Sequence, residues 1–391
     1  MPLIVLARLA LSLISLLVLA AAGYLLWSWH HGYWLTDGLG RALHLREAWR
    51  LWTAVALLSW SFLGRLVVTP LLARADTEPT RAERSAGRTL QSPTGSLLYV
   101  EEHGPAEAPP VVLTHGWGLD GTIWFYLRRA LSRRYRVIVW DLPGLGKSRA
   151  ESGGAVDLSH FAIDLKAVLA LAGDKPAVLV GHSIGGMIIQ TLIRDHPKVV
   201  RDQVAGIVLV NTTYTNPLRT MIFSPLAQAL RWPLLEPVLR LAIWLQPLAW
   251  LSAWQSYLSG SAHLANRIGF ASQVTRSQLE HTTLLATRNP PGALARGNLA
   301  MFRWAADGVL QATTAPALIL AGDADIVTKC EASRTLSRAA PGGQLEVITD
   351  ANHMGFLERA PAYSAEILAF CDLHLRSPTP LNAMTRPVVD A

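Results

Sequence analysis

The sequence predicts an α/β protein, a mostly parallel sheet flanked by helices, set behind an apolar N-terminal segment. Three observations carry that reading. From Thr89 onward, short apolar runs of strand type alternate with amphipathic runs of helix type, the pattern of a parallel sheet. The pentapeptide Gly181-His182-Ser183-Ile184-Gly185 lies between the strand-like residues 177–180 and the helix-like residues 187–193. Residues 9–29 carry no charge, and at about 1.5 Å per residue they can cross a hydrocarbon core of about 30 Å.

The bulk composition narrows the class. Of 391 residues, 51% are apolar and only 16% charged, and the net charge is +7. That balance suits an anionic membrane surface. Nucleic acid is not the expected partner, because there is no Lys/Arg-rich block, zinc-finger spacing or RNA-binding signature. The two cysteines, Cys330 and Cys371, form no C-x-x-C pair, so neither a disulfide framework nor a thiolate metal site is indicated.

Residues 1–75 read as a membrane anchor. The helix at 9–29 ends in Tyr24, Trp27 and Trp29, rings that favour the headgroup layer. Ala20-Ala21-Ala22 resembles a signal-peptide cleavage site, and a soluble periplasmic enzyme after cleavage is the competing reading. Arg8 follows apolar residues rather than opening the chain, and the apolar run continues past the alanines, which favours a retained helix. A second apolar run at 51–64 reaches crossing length, 51–73, if Arg65 snorkels. The two would then form a hairpin with Trp34, Trp49 and Trp52 near one interface. Arg74, Arg81, Arg84 and Arg88 place the following side in the cytoplasm of a bacterial-type inner membrane, although Arg41, Arg46 and Arg50 weaken the two-span version. Residues 76–88 read as a polar linker.

Strands are expected at 96–102, 111–114, 137–140, 177–180, 207–210, 318–321 and 345–348, and helices at 123–131, 158–171 and 361–375. A strand, a G-x-S-x-G turn and a helix make the setting of a nucleophile elbow, in which the serine hydroxyl stands clear of the chain. Around it stand His115-Gly116-Trp117-Gly118 after one strand, the turn at 141–148, Gly322-Asp323-Ala324-Asp325 after a late strand, and His353 before the last helix. In this order and on these loops, residues 89–375 resemble an α/β-hydrolase of the serine-nucleophile type.

The resemblance implies Ser183 as nucleophile, His353 as base and Asp325 as the acid orienting the imidazole, with Asp323 as the weaker contender. It also implies an oxyanion hole of the Trp117 and Ile184 backbone N–H groups, and no metal or cofactor. Asn352 precedes His353 where the family usually has Gly. Some relatives carry the acid after the strand following the elbow, but that place reads Asn211-Thr212-Thr213-Tyr214. His115 fits the family's structural histidine, so its H-x-x-x-x-D spacing to Asp120 reads as chance. The hydrolase core would then comprise 89–213 and 307–376, with a helical cap at 214–306 and a loose tail at 377–391. The cap carries only Glu236 and Glu280 as acids between Tyr214 and Ala306, among many arginines and Trp232, Trp244, Trp250, Trp254 and Trp304. That composition fits either a lipid-facing cap or a self-packed one.

The expected activity is therefore a membrane-anchored serine hydrolase cleaving lipid-like acyl esters through an acyl-enzyme on Ser183. A thioesterase or acyltransferase would use the same residues, and a non-catalytic membrane scaffold would keep the fold for binding alone. No protein partner is legible.

Overall fold

A computed structural model describes residues 2–81, 83–151 and 156–375; the tail expected at 377–391 lies outside them. The chain opens with α1 (Pro2–His31), then a small hairpin of β1 (Tyr33–Thr36) and β2 (Ala42–Leu45), then α2 (Ala48–Leu63) and α3 (Arg65–Leu72). α1 packs along α2. Within α1, residues Ala10–His31 are long and apolar enough to cross a membrane. The second segment is not one straight crossing. α2 and α3 are bent by 57° at Gly64, where a Cβ would overlap the Ser259 carbonyl. Rather than snorkelling, Arg65 pairs with Glu280 at 2.7 Å and lies over the Tyr257 ring, which draws α3 onto the rest of the protein. At the far end of the α1–α2 pair, Tyr24, Trp27, Trp34, Trp49 and Trp52 are exposed.

The stretch read as a linker is strapped down. Ser277 donates its backbone N–H to Asp76 at 3.0 Å, and Thr80 Oγ1 meets Tyr126 Oη at 2.8 Å. Arg84 reaches Glu101 at 2.9 Å, Asp120 at 2.7 Å and Asp141 at 3.0 Å. Beyond it come β3 (Arg88–Gln91), β4 (Leu97–His103), β5 (Pro110–Thr114), α4 (Phe125–Leu131), β6 (Arg136–Trp140), α5 (Leu158–Leu169), β7 (Ala177–His182), α6 (Ile184–Asp195), α7 (Pro197–Gln203) and β8 (Val204–Val210). An insertion of helices follows: α8 (Pro217–Thr220), α9 (Ser224–Ala229), α10 (Glu236–Trp244), α11 (Gln246–Leu258), α12 (Ser261–Arg267), α13 (Arg276–Arg288) and α14 (Pro291–Met301). β9 (Ala317–Gly322), α15 (Cys330–Ala339), β10 (Gln344–Ile348), α16 (Gly355–Glu358) and α17 (Ala360–His374) return to the core.

One eight-stranded sheet, in the order β10-β9-β8-β7-β5-β6-β4-β3, holds these strands. It is parallel from β10 to β6, with β4 and β3 antiparallel at one end. The apolar runs of β5 and β7 are buried on both faces, as a sheet covered by helices on two sides requires. Val112 and Leu179 point to the side of α5 and α6, whereas Val111, Leu113, Val178 and Val180 point to the side of α4 and α17. The inserted helices have their own small core around Leu218, Met221, Leu235, Leu239 and Phe302.

The two acids of the insertion are hubs. Glu236, buried, takes Arg231 at 2.9 Å, Arg240 at 3.1 Å and Arg303 at 3.7 Å. Glu280 takes Arg65 and, at 2.7 Å, His263. Among the tryptophans, Trp304 is core, donating its indole N–H to Thr191 at 2.8 Å, while Trp232 and Trp244 are exposed.

Candidate active site

β7 runs straight into α6, and the reversal between them leaves no room for side chains at its two glycines. A Cβ on Gly181 would come 2.5 Å from the Gly185 carbonyl carbon, and one on Gly185 would overlap the Thr114 carbonyl oxygen. Between them Ser183 sits at φ 53°, ψ −118°, a conformation a non-glycine residue holds only when its surroundings over-determine it. Here Ser183 N donates to Val210 O at 3.0 Å, and Thr212 Oγ1 donates to Ser183 O at 2.6 Å. The strain aims the hydroxyl at the loop following β10.

That loop carries His353. Its Nε2 lies 3.1 Å from Ser183 Oγ, and its Nδ1 lies 3.1 Å from Asp325 Oδ2. Ser183, His353 and Asp325, the three expected partners, are thus brought into one hydrogen-bonded chain, all of them buried. Asp323 is not part of it: its side chain is exposed and, among the described residues, accepts from Ala351 N alone, at 3.3 Å. Burial by itself would push the Asp325 carboxyl up. The facing His353 and donors from Asn211 and Thr328 outweigh burial and hold the carboxyl down at about 2.

The donor set of Asp325 is unusually full. Oδ1 accepts from the Val327 and Thr328 N–H groups at 2.8 and 2.9 Å, and Oδ2 from Thr328 Oγ1 at 2.7 Å and Asn211 Nδ2 at 2.9 Å. Asn211 also donates to Asn352 O at 3.2 Å, and Tyr363 Oη donates to its Oδ1 at 2.8 Å. In the sequence, Asn211 marks only the absence of a second acid after β8. Its place beside Asp325 depends on β8 and β9 being neighbours, a long-range pairing that no local motif encodes.

His182 has a similar hidden part. Its Nε2 donates to the His353 carbonyl at 3.0 Å and its ring lies against Phe356. Burial, and then the nearby His353, push its pKa well below the usual imidazole range, so it is a neutral brace. His115 is also buried, and burial lowers its pKa. It accepts from Leu142 N at 2.9 Å and so ties the loop after β5 to the turn at 141–148. Asp120 is occupied by Arg84 and by Thr122 N at 2.9 Å, so its spacing from His115 has a structural use.

The loop after β5 brings Trp117 to the same place. The backbone N–H groups of Trp117 and Ile184 have no protein acceptor among the described residues. The Trp117 indole donates to Leu294 O at 3.0 Å, and its ring fills the space left by Gly297 of α14. The loop and the insertion are locked together there.

Above Ser183 and His353 is a cavity of about 250 Å³. Trp117 and Met354 line it from the core, Leu239, Ala242 and Ala253 from the inserted helices, and Arg8 and Ser12 from α1. α1 reaches it through a stripe of helical spacing. Ser12 and Ser15 are buried against the protein, and Leu13, Ile14 and Leu17 are exposed on the other side. Ser15 Oγ meets Ser259 Oγ at 2.8 Å. Among the described residues, no group of His, Cys, Asp and Glu side chains could hold a metal ion.

The chain resembles known proteins over this same region. Residues 109–360 match the model of the alpha/beta hydrolase fold. A pimeloyl-[acyl-carrier protein] methyl ester esterase of Vibrio atlanticus is 28% identical over 276 residues, covering 68% of this chain and 96% of that protein. The polyketide synthase ThaQ of Burkholderia thailandensis is 30% identical over 301 residues, covering 74% of this chain, and the chain spans only 13% of its length. Among solved structures, a thermophilic esterase from Thermogutta terrifontis superposes with a TM-score of 0.58 at 25% identity, covering 75% of this chain and all of that one.

Proposed function

The chain belongs to the alpha/beta hydrolase fold family, and on that premise we propose that it is a membrane-anchored serine hydrolase of lipid-like carboxylic esters. One observation carries the proposal. The Ser183–His353–Asp325 chain opens into a largely apolar cavity whose wall includes the apolar helix α1.

In this reading Ser183 Oγ attacks the ester carbonyl carbon while its proton passes to His353 Nε2. The carbonyl π electrons move to oxygen, and the oxyanion is held by the N–H groups of Trp117 and Ile184. Collapse breaks the ester C–O bond, and His353 returns the proton to the leaving alkoxide, which departs as alcohol. Water then attacks the acyl-enzyme, with His353 taking its proton and giving it to Ser183 Oγ as the carboxylic acid leaves. Asp325 accepts from Nδ1 throughout and fixes the tautomer that keeps Nε2 free.

The esterase relatives support a carboxylic ester as the bond cleaved. The packing of α1 against α11 and α12 supports its retention, since cleavage would strip one wall from the cavity. Exposed Trp244, Leu248 and Leu251, at the 101° bend between α10 and α11, support a cap that rests on the bilayer. The arginines after α3 favour the cytoplasmic side for the hydrolase core.

The test is an ester panel of increasing chain length, run on the full chain in detergent micelles and in vesicles, with Ser183→Ala as control. The reading expects long-chain esters to be turned over faster at an interface, and Ser183→Ala to abolish turnover. Equal rates for all chain lengths with no interfacial gain would overturn the lipid assignment. Unchanged turnover in Ser183→Ala would overturn the mechanism.

A further inference from the structure

An arginine near the end of a membrane helix ordinarily extends its guanidinium toward headgroups and water. Arg8 does the opposite. It stands one helical turn before Ser12 on the protein-facing stripe of α1, and both residues line the cavity that holds Ser183 and His353. Its guanidinium donates from Nη2 to Asn266 Oδ1. The Asn266 amide is itself oriented, because its Nδ2 donates to Thr283 Oγ1 at 2.8 Å and leaves Oδ1 for the arginine. Arg8 Nε is shielded from solvent and has no hydrogen-bond partner among the described residues. Among the described lining residues Arg8 is the only arginine or lysine, and no carboxylate joins it there.

A shielded cation without a counter-charge is costly, and a charge-assisted bond to an anionic oxygen is what relieves it. Other inward-facing arginines show the contrast: Arg65 has Glu280, and Arg84 has three acids. We infer that Arg8, held by Asn266, binds an anionic group, phosphate or carboxylate, on the ester substrate, so that the membrane helix itself contributes to specificity. The inference rests on the ester-hydrolase reading above. It adds that the preferred substrate is acidic at a point remote from the scissile bond.

Two matched pairs test it on the full-length protein in nanodiscs. 1-Oleoylglycerol and 1-oleoylglycerol 3-phosphate differ by an anion on the alcohol side. Methyl dodecanoate and monomethyl dodecanedioate differ by an anion at the far end of the acyl chain. The wild type is expected to prefer the anionic member of one pair, and which pair responds says on which side the anion lies. Arg8→Gln should lower that preference, as a ratio of kcat/KM, at least about tenfold and chiefly through KM. Arg8→Lys, which keeps the charge without the planar fork, should keep part of it.

Binding gives a readout independent of turnover. Dodecyl phosphate or dodecanedioate should raise the Tm of Ser183→Ala but not of the Ser183→Ala, Arg8→Gln double variant, and dodecanol should not separate the two. Ester turnover with no Arg8-dependent preference in either pair overturns the inference and leaves the hydrolase reading standing. Equal loss of both members of each pair, with a lowered Tm, overturns it by making Arg8 structural. Arg8-dependent binding without turnover of any ester retires the hydrolase reading and keeps the anion site.

Discussion

Replacing Asp325 by Asn removes one charge and almost no volume, so its effect isolates the orientation of His353. Every neighbour of the carboxylate is a donor: two backbone N–H groups on Oδ1, and Asn211, Thr328 and His353 on Oδ2. An amide cannot satisfy that ring. With its NH2 on the Oδ1 side it opposes the fixed N–H groups of Val327 and Thr328. With its NH2 on the Oδ2 side it forces His353 Nδ1 to accept, which puts the imidazole proton on Nε2, facing Ser183 Oγ. The second arrangement spares the backbone, and it leaves no base for the serine. For a serine–imidazole pair, loss of the correct tautomer costs about 10³- to 10⁴-fold in kcat, or about 4–5.5 kcal/mol of transition-state stabilisation. The assay is kcat/KM on a short-chain nitrophenyl ester together with the rate of fluorophosphonate labelling, both of which need Ser183 activated. Asp323→Asn is the control, expected within about twofold of wild type because that side chain is an exposed surface group. Retention of more than about a tenth of the activity in Asp325→Asn would refute the assigned role. A large loss in Asp323→Asn would transfer it.

Two further predictions concern stability. Arg84→Ala should cost about 3–5 kcal/mol, because it strands the carboxylates of Glu101, Asp120 and Asp141 without their cation; a melting midpoint within a degree or two of wild type would contradict this. The Asp325 carboxyl, at about 2 when folded and about 3.9 when unfolded, contributes on the order of 2 kcal/mol. That contribution is present above about pH 4 and lost as pH falls through about 2. The difference in thermal stability between wild type and Asp325→Asn should therefore narrow on acidification from pH 5 to 2, and a constant or widening gap would be contrary.

The parts of the site that rest on local chemistry were legible in the sequence. The glycines at 181 and 185 announce a turn without side-chain room, and the apolar runs around them announce buried parallel strands. Asp325 and His353 were legible through the resemblance to serine-nucleophile α/β-hydrolases, each standing in the loop after a strand that its apolar run announces. Asn211 and His182 were not, since their roles come from the adjacency of β8 and β9 and from where the His353 carbonyl lands. Residues 76–88 looked like a linker because they are polar, but Arg84 is polar toward three carboxylates rather than toward water. Likewise residues 51–73 summed to one crossing by hydropathy, yet Arg65 finds Glu280 far along the chain and the helix turns at Gly64. For α1 a signal was present and unused: Arg8, Ser12 and Ser15 fall at helical spacing in an otherwise apolar run, the mark of a helix with one face on protein.

The central claim is that Ser183 forms a covalent acyl-enzyme with His353 as its base. Its most direct measurement is peptide mapping by mass spectrometry after treatment of the full-length protein with a fluorophosphonate. The adduct is expected on the peptide bearing Ser183, at one site per chain, and absent from Ser183→Ala and strongly slowed in His353→Ala. An adduct at another residue, or undiminished labelling of Ser183→Ala, would contradict the account.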